Sequence, residues 1–583
     1  MQLRRQALQS DICVIGGGPA GLCAALAAAR HGARVTLVQD RPVLGGNSSG
    51  EVRMHICGAD RHNALPNLRE TGILEELRLE NLQCNTQRSY SVWETLLYQK
   101  VLAEPNLSLY LNTTVQAAEM DGASIRSVTA WQLTTQTLFT IEARIFIDCS
   151  GDAILAPLTG ATCRMGREAA SEFGETLAPA QADARTMGMT CMFQAREHPQ
   201  PMPFAPLAWA NTYEHCDELP FGASGHTWQS MGYWWIELGG EQHSIHDTEW
   251  CRHELLKIVY GVWDHIKNRC PERASAANWA LDWVQFLPGK RESIRYEGLY
   301  MLTQGDIEAG GRFEDTVAYG GWTMDDHHPA GFHAARLGLP ATHWHQAPSP
   351  YGIPYRTLVH RDIPNLMFAG RDASCSHIAM SSTRVMGTAC VMGQAAGTAA
   401  ALACAEGITP AAVGSQMEAL QQSLLADDCY LPGIPQQFSV LTTTARLSAS
   451  QGDPAPLRDG WNRPIGQDHH GWRCASGDWV AYEFDNPVAL HQVSLVLDSA
   501  LDANTAMSNL QADDQLSALP ERLIRELRCE VLRDGMWQTI AKITENSQRL
   551  VRFIVDQPVA GVRVTIGATW GGPSSAIFAF YVD

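Results

Sequence analysis

The chain is 583 residues long, 45% hydrophobic and 18% charged, with a formal net charge of −19 at neutral pH. That length exceeds one hydrophobic core and suggests two to four domains, and the composition is that of a folded chain rather than a disordered one. The acidic balance argues against nucleic acid or an anionic membrane surface as partner, because both call for a basic face.

The opening MQLRRQALQS has no apolar run, so no signal peptide is read there. Residues 11–15, DICVI, read as a short buried strand. Gly16-Gly17-Gly18-Pro19-Ala20-Gly21 follows, then the helical CAALAAAR, then a second strand over 33–38. Strand, glycine turn, helix and strand within thirty residues is the context a dinucleotide motif needs. Gly16 would allow the tight turn, Gly18 would leave the helix N-terminus open to a pyrophosphate, and Gly21 would let helix and strand approach. An acid that binds ribose hydroxyls usually ends the second strand. Here Gln39 stands in that place and Asp40 comes one residue later.

RPVLGGNSSGEVRMHICGAD (41–60) follows, and Gly45, Gly46, Asn47 and Ser48 offer a second flexible backbone close to a ligand. ARIFIDCSGDAILAPLTGA (143–161) is an apolar strand that ends in Asp148-Cys149-Ser150-Gly151-Asp152. Residues 166–285 lack the nucleotide pattern and are rich in aromatics, as in WQSMGYWWIELGGEQ. Most of these aromatics read as core and one or two, such as Trp234 or Trp235, as pocket wall. In 365–403 a strand runs into Gly370-Arg371-Asp372, and a helix of small residues starts near Arg384, Val385, Met386, Gly387 and Thr388. The helix is rich in Gly and Ala and carries Gln394, so it reads as buried rather than membrane-spanning. Residues 409–433 read as a helix with a Pro-Gly stop. Residues 437–583 show short alternating strands, including one turn at Asp534-Gly535, which suggests an antiparallel sandwich. Sixteen cysteines include no C-x-x-C pair, which removes the usual zinc-ribbon and thioredoxin patterns, and scattered thiols fit a reducing cytoplasm.

The three motifs in this order resemble the FAD-binding fold of glutathione-reductase-like flavoproteins. GGNSSGEVRMHICGAD, PGKRESIRYEG, GGWTMDDHHP, IPYRTLVHRDIPNLMFAGRDAS and RVMGTACVMGQAAGTAAAL further resemble the FAD-dependent oxidoreductase family of bacterial proteins often found with carbohydrate-degradation systems, over roughly residues 8–435. The resemblance implies a Rossmann-like α/β FAD-binding domain (1–165 and 286–435) with an inserted α+β substrate domain (166–285). The remaining 436–583 resembles a galactose-binding-like β-sandwich. It further implies that FAD lies on Gly16, Gly18, Pro19, Ala20 and Gly21, on Gln39 or Asp40, on Gly45 to Ser48, on Gly151 and Asp152, on Gly370, Arg371 and Asp372, and on Arg384 with Met386, Gly387 and Thr388. The late helix would point its N-terminus at the flavin pyrimidine. No second strand-linked glycine motif appears, so no separate NAD(P)H domain is expected. Cys57 has His62 rather than a cysteine five places on, which disfavours the disulfide-reductase branch.

A flavin site that takes hydride must also handle a proton, and histidine suits neutral pH. His377 ranks first by position, between the late strand and the late helix. His327, in GGWTMDDHHP, is next, and His55 follows; a bond to Asp325 or Asp326 that merely fixes the loop is the other reading of His327. Arg291, Arg295 and Arg384 could anchor oxyanions, against structural pairing with Glu292 or Glu297 and, for Arg384, phosphate binding. Glu51, Arg53 and His55 alternate and so share one side of an extended segment. No metal site is expected. The main expectation is an alcohol oxidation on a sugar or sugar-like small molecule, with an electron acceptor and any self-association left open. One alternative is a fumarate-reductase or ketosteroid-dehydrogenase type of enzyme, acting on C–C bonds with an arginine as proton donor. The other is a carbohydrate-binding protein whose flavin is structural.

Overall fold

The computed structural model describes residues 3–226, 231–507 and 514–583. Of the aromatic stretch quoted above, Trp228, Gln229 and Ser230 lie outside the described residues.

The first strand, β1 (Arg4–Ile15), runs into helix α1 (Pro19–Arg30) and strand β2 (Val35–Val38). Strands β3 (Leu107–Tyr110), β4 (Thr113–Asp121), β5 (Ser124–Gln132) and β6 (Thr137–Asp148) complete this part of the sheet. β1 lies parallel between β2 and β6, with Ile15 opposite Val38 on one side and Asp148 on the other. β3 extends the parallel set beyond β2, and a late strand, Leu366–Phe368, pairs in parallel with the end of β6. β4 and β5 add antiparallel strands to the first half of β6. β1 is longer than the expected 11–15. Its first half alternates exposed and half-buried residues, and that polar half hides the strand in the sequence.

All the parallel strands end at the same edge, so their C-terminal loops gather there, as expected for a ligand crevice in an open parallel sheet. The late helix Met386–Glu406 crosses α1 beneath that edge. A Cβ on Gly393 would come within 2.1 Å of the Ala20 carbonyl, and one on Gly397 within 2.1 Å of the Ala24 carbonyl. The two backbones therefore touch. Among the described residues this is the helix long and apolar enough to cross a membrane, and it is buried inside the protein.

The aromatic-rich middle builds its own core around the 17-residue helix Thr248–Asp264, which buries Cys251, Leu255, Ile258, Val259 and Val262 on one face. The strand pair Phe193–Glu197 and Trp279–Val284 closes it. Tyr233 and Trp235 belong to this core.

The last quarter is a seven-stranded antiparallel sheet that fits a β-sandwich. The expected strands 479–484 and 493–497 are one strand, Trp479–Leu497, and 550–555 and 561–566 are one strand, Leu550–Thr569. The two pair along their length with register shifts after Glu483 and Leu490, where irregularities let long strands bend around a core. Asp534 and Gly535 both have positive φ, 49° and 75°, which suits the tight hairpin between Ile524–Arg533 and Met536–Ile543.

Buried arginines join this sheet to the part that carries the glycine turn. Arg69 pairs with Glu75 at 2.7 Å and donates to the carbonyls of Ser499 and Ala500. Arg463 donates to the carbonyls of Asn67 and Arg69, and Arg549 to Asp428 at 2.9 Å. Removing one partner of such a pair strands a buried charge. Asp428→Ala should therefore cost about 3–5 kcal/mol, read as a large drop in the thermal midpoint, whereas Asp427→Ala, in a more exposed pair, should cost about 1 kcal/mol or less.

Candidate functional site: a cation-lined cavity at the sheet edge

The glycine turn after β1 is a cradle with one open side. Gly16 has φ +99°, and a Cβ there would sit 2.5 Å from the Cys149 carbonyl oxygen. At Gly21 it would meet the Gly16 carbonyl at 1.8 Å, so that glycine serves close packing, as expected. At Gly18 it would meet nothing nearer than the Gly46 Cα, at 3.9 Å. Gly18 thus faces space that the protein leaves open, at the N-terminus of α1 and beside the Gly46–Ser48 turn.

Gln39 is buried at the end of β2. Its Oε1 accepts the Gly17 N–H at 2.7 Å and its Nε2 donates to the Val43 carbonyl at 3.1 Å. The amide thus ties the glycine turn to the next loop and still presents itself to the cavity. Asp40 lines the rim with its side chain 57% exposed.

Of the sequence-predicted cofactor residues, Gly16, Gly18, Pro19, Ala20, Gln39, Asp40, Gly46, Asn47, Gly151, Asp152, Gly370, Arg371, Arg384 and Met386 line one cavity. Six stand behind its wall. Gly21 packs as described. Gly45 donates its N–H to the Gly17 carbonyl at 2.9 Å. Ser48 donates to the Gly45 carbonyl and accepts from Trp93. Asp372 lies under the loop, where it accepts the Gly151 N–H at 3.3 Å. Burial, and then the nearby Asp148, push its carboxyl well above the usual range. The Gly387 N–H is taken by the Cys57 carbonyl at 2.8 Å, and the Thr388 hydroxyl is buried. The late helix therefore meets the cavity through Val385, Met386 and Ala389.

The cavity of this acidic protein is lined by cations: Arg41, Lys290, Arg291, Arg371 and Arg384. Lys290 donates to Asp152 at 2.7 Å, and Arg371 to the same carboxylate at 3.1 Å. Burial would raise the Asp152 pKa, but these two cations outweigh it and hold the carboxyl below its usual range. Lys290 was legible only as part of the quoted PGKRESIRYEG, and nothing in that stretch singles it out. Arg371 Nη1 and Arg384 Nε are buried with no hydrogen-bond partner among the described residues. Arg291 donates to Thr190 Oγ1 at 2.7 Å and to the Trp234 carbonyl at 2.9 Å, and Trp234 itself lines the cavity.

Geometry separates the three ranked histidines. His377 is buried and does not line the cavity. Its Nδ1 donates to Glu292 at 3.0 Å and its Nε2 to Asp326 at 3.0 Å. Burial would lower its pKa, but the two carboxylates outweigh that and raise it to about 10. An imidazolium clamped on both nitrogens is an ion-pair element rather than a free base. His327 also sits behind the wall, with Glu237 on Nδ1 at 2.6 Å and Asp325 on Nε2 at 3.3 Å. The expected bond to Asp325 is there, since the strand Met324–His327 puts residues 325 and 327 on one face. The larger partner, Glu237, comes from a distant segment and left no local signal. His55 does line the cavity. Burial, and then His62, lower its pKa to about 3, so it is neutral. Its Nε2 lies 3.3 Å from His62 Nε2. Arg53, expected beside it, instead lies over Trp283 and donates to Gln194.

Glu237, His327 and Asp325 form a chain between two cavity cations. Arg291 lies 3.2 Å from Glu237, and Arg384 lies 3.4 Å from Asp325. Arg295 does not reach the cavity; it pairs with Glu168 at 2.6 Å and with Glu292, the second of which was the structural alternative.

The open glycine cradle, the two helix N-termini and the cation lining define a protein that binds a dinucleotide along the edge of a parallel sheet. The profile of the family described as FAD dependent oxidoreductase matches residues 11–424. The chain belongs to this family, and it is an FAD-dependent oxidoreductase. No curated protein matches the chain in sequence. Among solved structures, a geranylgeranyl bacteriochlorophyll reductase-like protein from Thermoplasma acidophilum is similar at 13% identity over 72% of this chain and 86% of that one, with a TM-score of 0.31. The flavin-dependent brominase Bmp2, as a triple mutant, is similar at 12% identity over 72% and 86%, with a TM-score of 0.34. A family 32 carbohydrate-binding module of Streptococcus pneumoniae EndoD is similar at 12% identity over 25% of this chain and 99% of that one, with a TM-score of 0.19.

FAD fits the residues present: Gly18 leaves the cradle open, and buried guanidinium N–H groups of Arg371 and Arg384 have no acceptor among the described residues. An added methyl at Gly18 clashes with nothing among the described residues but would narrow the open side of the cradle. Gly18→Ala should leave the thermal midpoint of the apoprotein within about 1 °C and weaken FAD binding about tenfold or more in a flavin titration. His377→Asn should cost about 3–5 kcal/mol near neutral pH. The folded pKa of His377 is raised above its ordinary 6.5, so its stabilisation is complete below pH 6.5 and is lost as pH rises through about 10. Melting curves of wild type and variant should therefore converge at high pH.

Proposed function

We propose that this enzyme oxidises a C–OH group of a sugar or sugar-like small molecule and that His55, rather than His377 or His327, accepts the hydroxyl proton. The observation that carries this reading is the place of His55: of the three histidines singled out, it alone lines the cavity, in the neutral form that can take a proton. Bound FAD supplies the hydride acceptor. The neutral His62 imidazole, 3.3 Å away at Nε2, can accept a hydrogen bond from the ring once it takes the proton. Arg291 and Arg384 offer fixed cations to substrate oxygens, held in place by the Glu237–His327–Asp325 chain. Trp234 gives an apolar wall of the kind a sugar ring packs on. The sixteen cysteines are all free, which supports a reducing compartment such as the cytoplasm.

A second reading rests on Arg384, whose Nε is unpaired at the cavity. In an enzyme that acts on C–C bonds, an arginine there would deliver a proton to carbon. Anaerobic mixing of the holoenzyme with sugars, dicarboxylates and enones separates the two. The alcohol reading expects sugars to bleach the flavin, and dicarboxylates and enones neither to bleach it nor to reoxidise reduced enzyme. Reoxidation by an enone or an unsaturated dicarboxylate, with no bleaching by any sugar, would reject it. Because His55 is already neutral above about pH 3, its protonation should add no acid limb to the rate of bleaching between about pH 5 and 8.

A further inference from the structure

We propose that the segment packed over the cavity holds a structural zinc ion on Cys216, His226, His265 and Cys270. The four ligand atoms lie within 4.8 Å of one another, although the residues are spread over 54 positions of sequence. Cys216 Sγ is 3.5 Å from His226 Nε2, 3.4 Å from His265 Nε2 and 3.9 Å from Cys270 Sγ. His226 Nε2 is 3.3 Å from Cys270 Sγ. A tetrahedral zinc ion with Zn–S of about 2.3 Å and Zn–N of about 2.0–2.1 Å requires S–S edges of about 3.8 Å and S–N edges of about 3.5 Å. The four distances given match those edges to within about 0.2 Å.

Tautomers make the case stronger. His226 Nδ1 lies 3.0 Å from the Gly222 carbonyl, and His265 Nδ1 lies 2.9 Å from the Tyr213 carbonyl. A carbonyl can only accept, so both Nδ1 atoms carry hydrogen and both Nε2 atoms turn lone pairs inward. Two lone pairs and two sulfurs then face one point with only weak S–H donors between them. A cation at that point satisfies all four. Two sulfurs and two imidazoles suit zinc, and two thiolates cancel its charge. The Glu272 N–H, 3.4 Å from Cys270 Sγ, favours the thiolate.

The local fold supplies the ligands from three places. Cys216 starts one 3₁₀ turn, Cys216–Glu218, and His226 ends another, Gly222–His226. His265 and Cys270 bracket the π-turn that ends the helix Thr248–Asp264. Four protein ligands leave no open position, so the ion would be structural. It would clamp the 216–226 loop to that helix. Phe221 in the loop packs edge-on against Trp234, at 5.7 Å between ring centres, and Trp234 is cavity wall. The usual spacing patterns miss the site because no two ligands form a C-x-x-C or H-x₃₋₅-H pair.

The test is metal analysis of the untagged holoenzyme, purified in reducing buffer without chelator, followed by zinc-edge X-ray absorption. The expected result is about one zinc per chain, with two sulfur neighbours at about 2.3 Å and two nitrogen neighbours at about 2.0–2.1 Å. Cys216→Ser and Cys270→Ser should each lose most of the zinc. Cys57→Ser, in the separate group of His55, Cys57 and His62, should keep it. If the serine variants do not fold, the wild-type stoichiometry and absorption spectrum decide alone. Protein that carries no zinc and takes up none from added Zn²⁺ would overturn the proposal. So would a Cys216–Cys270 disulfide in the reduced preparation, or a zinc ion with any other ligand set.

Discussion

Two helices bring their N-termini to one cavity, and the rest of the site depends on how closely they pass. Gly393 and Gly397 lie against the carbonyls of Ala20 and Ala24, so the late helix and α1 touch backbone to backbone. Any side chain at either glycine would wedge them apart. Gly16 and Gly21 do the same for α1 against the sheet. Both helix dipoles then act on the same volume, where they favour anionic groups such as a diphosphate.

The charges follow from that arrangement. A chain with an excess of acids nevertheless gathers five cationic side chains around its cavity. Several are held by carboxylates from the surrounding segments: Asp152 for Lys290 and Arg371, Glu237 for Arg291, and Asp325 for Arg384. His327 and His377 sit among these carboxylates as linkers. Buried beside Glu292 and Asp326, the His377 imidazole holds its proton and stiffens the scaffold. His55 is half-buried without an acid on its ring and gives its proton up. The same residue type thus takes opposite charge states at His55 and His377, and its neighbours decide which.

Much of this was legible in the sequence where a local pattern carries it. The glycine turn, its helix and the strand after it appear from spacing alone, as does the hairpin at Asp534 and Gly535. The departure at Gln39 was visible too, although its bond to the Gly17 N–H was not, because that needs the folded turn. What stayed hidden depends on long-range partners. His377 looked like a base because it follows the late strand, and nothing nearby in sequence announces Glu292 and Asp326. Asp372 matched an acidic motif position, yet the loop turns it inward beneath Gly151. In the last quarter, bends inside two continuous strands read as breaks between four, because a bulge and a turn use similar residues.

The most direct test of the account compares anaerobic flavin reduction in His55→Asn and His377→Asn, using the strongest reductant found among the sugars. The account predicts that His55→Asn keeps its FAD and its fold but is reduced about 10²–10⁴-fold more slowly, the range expected when a positioned proton acceptor is lost. His377→Asn, held below its lowered melting point, should be reduced at close to the wild-type rate. Normal reduction of the first variant together with loss of reduction in the second would contradict it and return the role of base to His377.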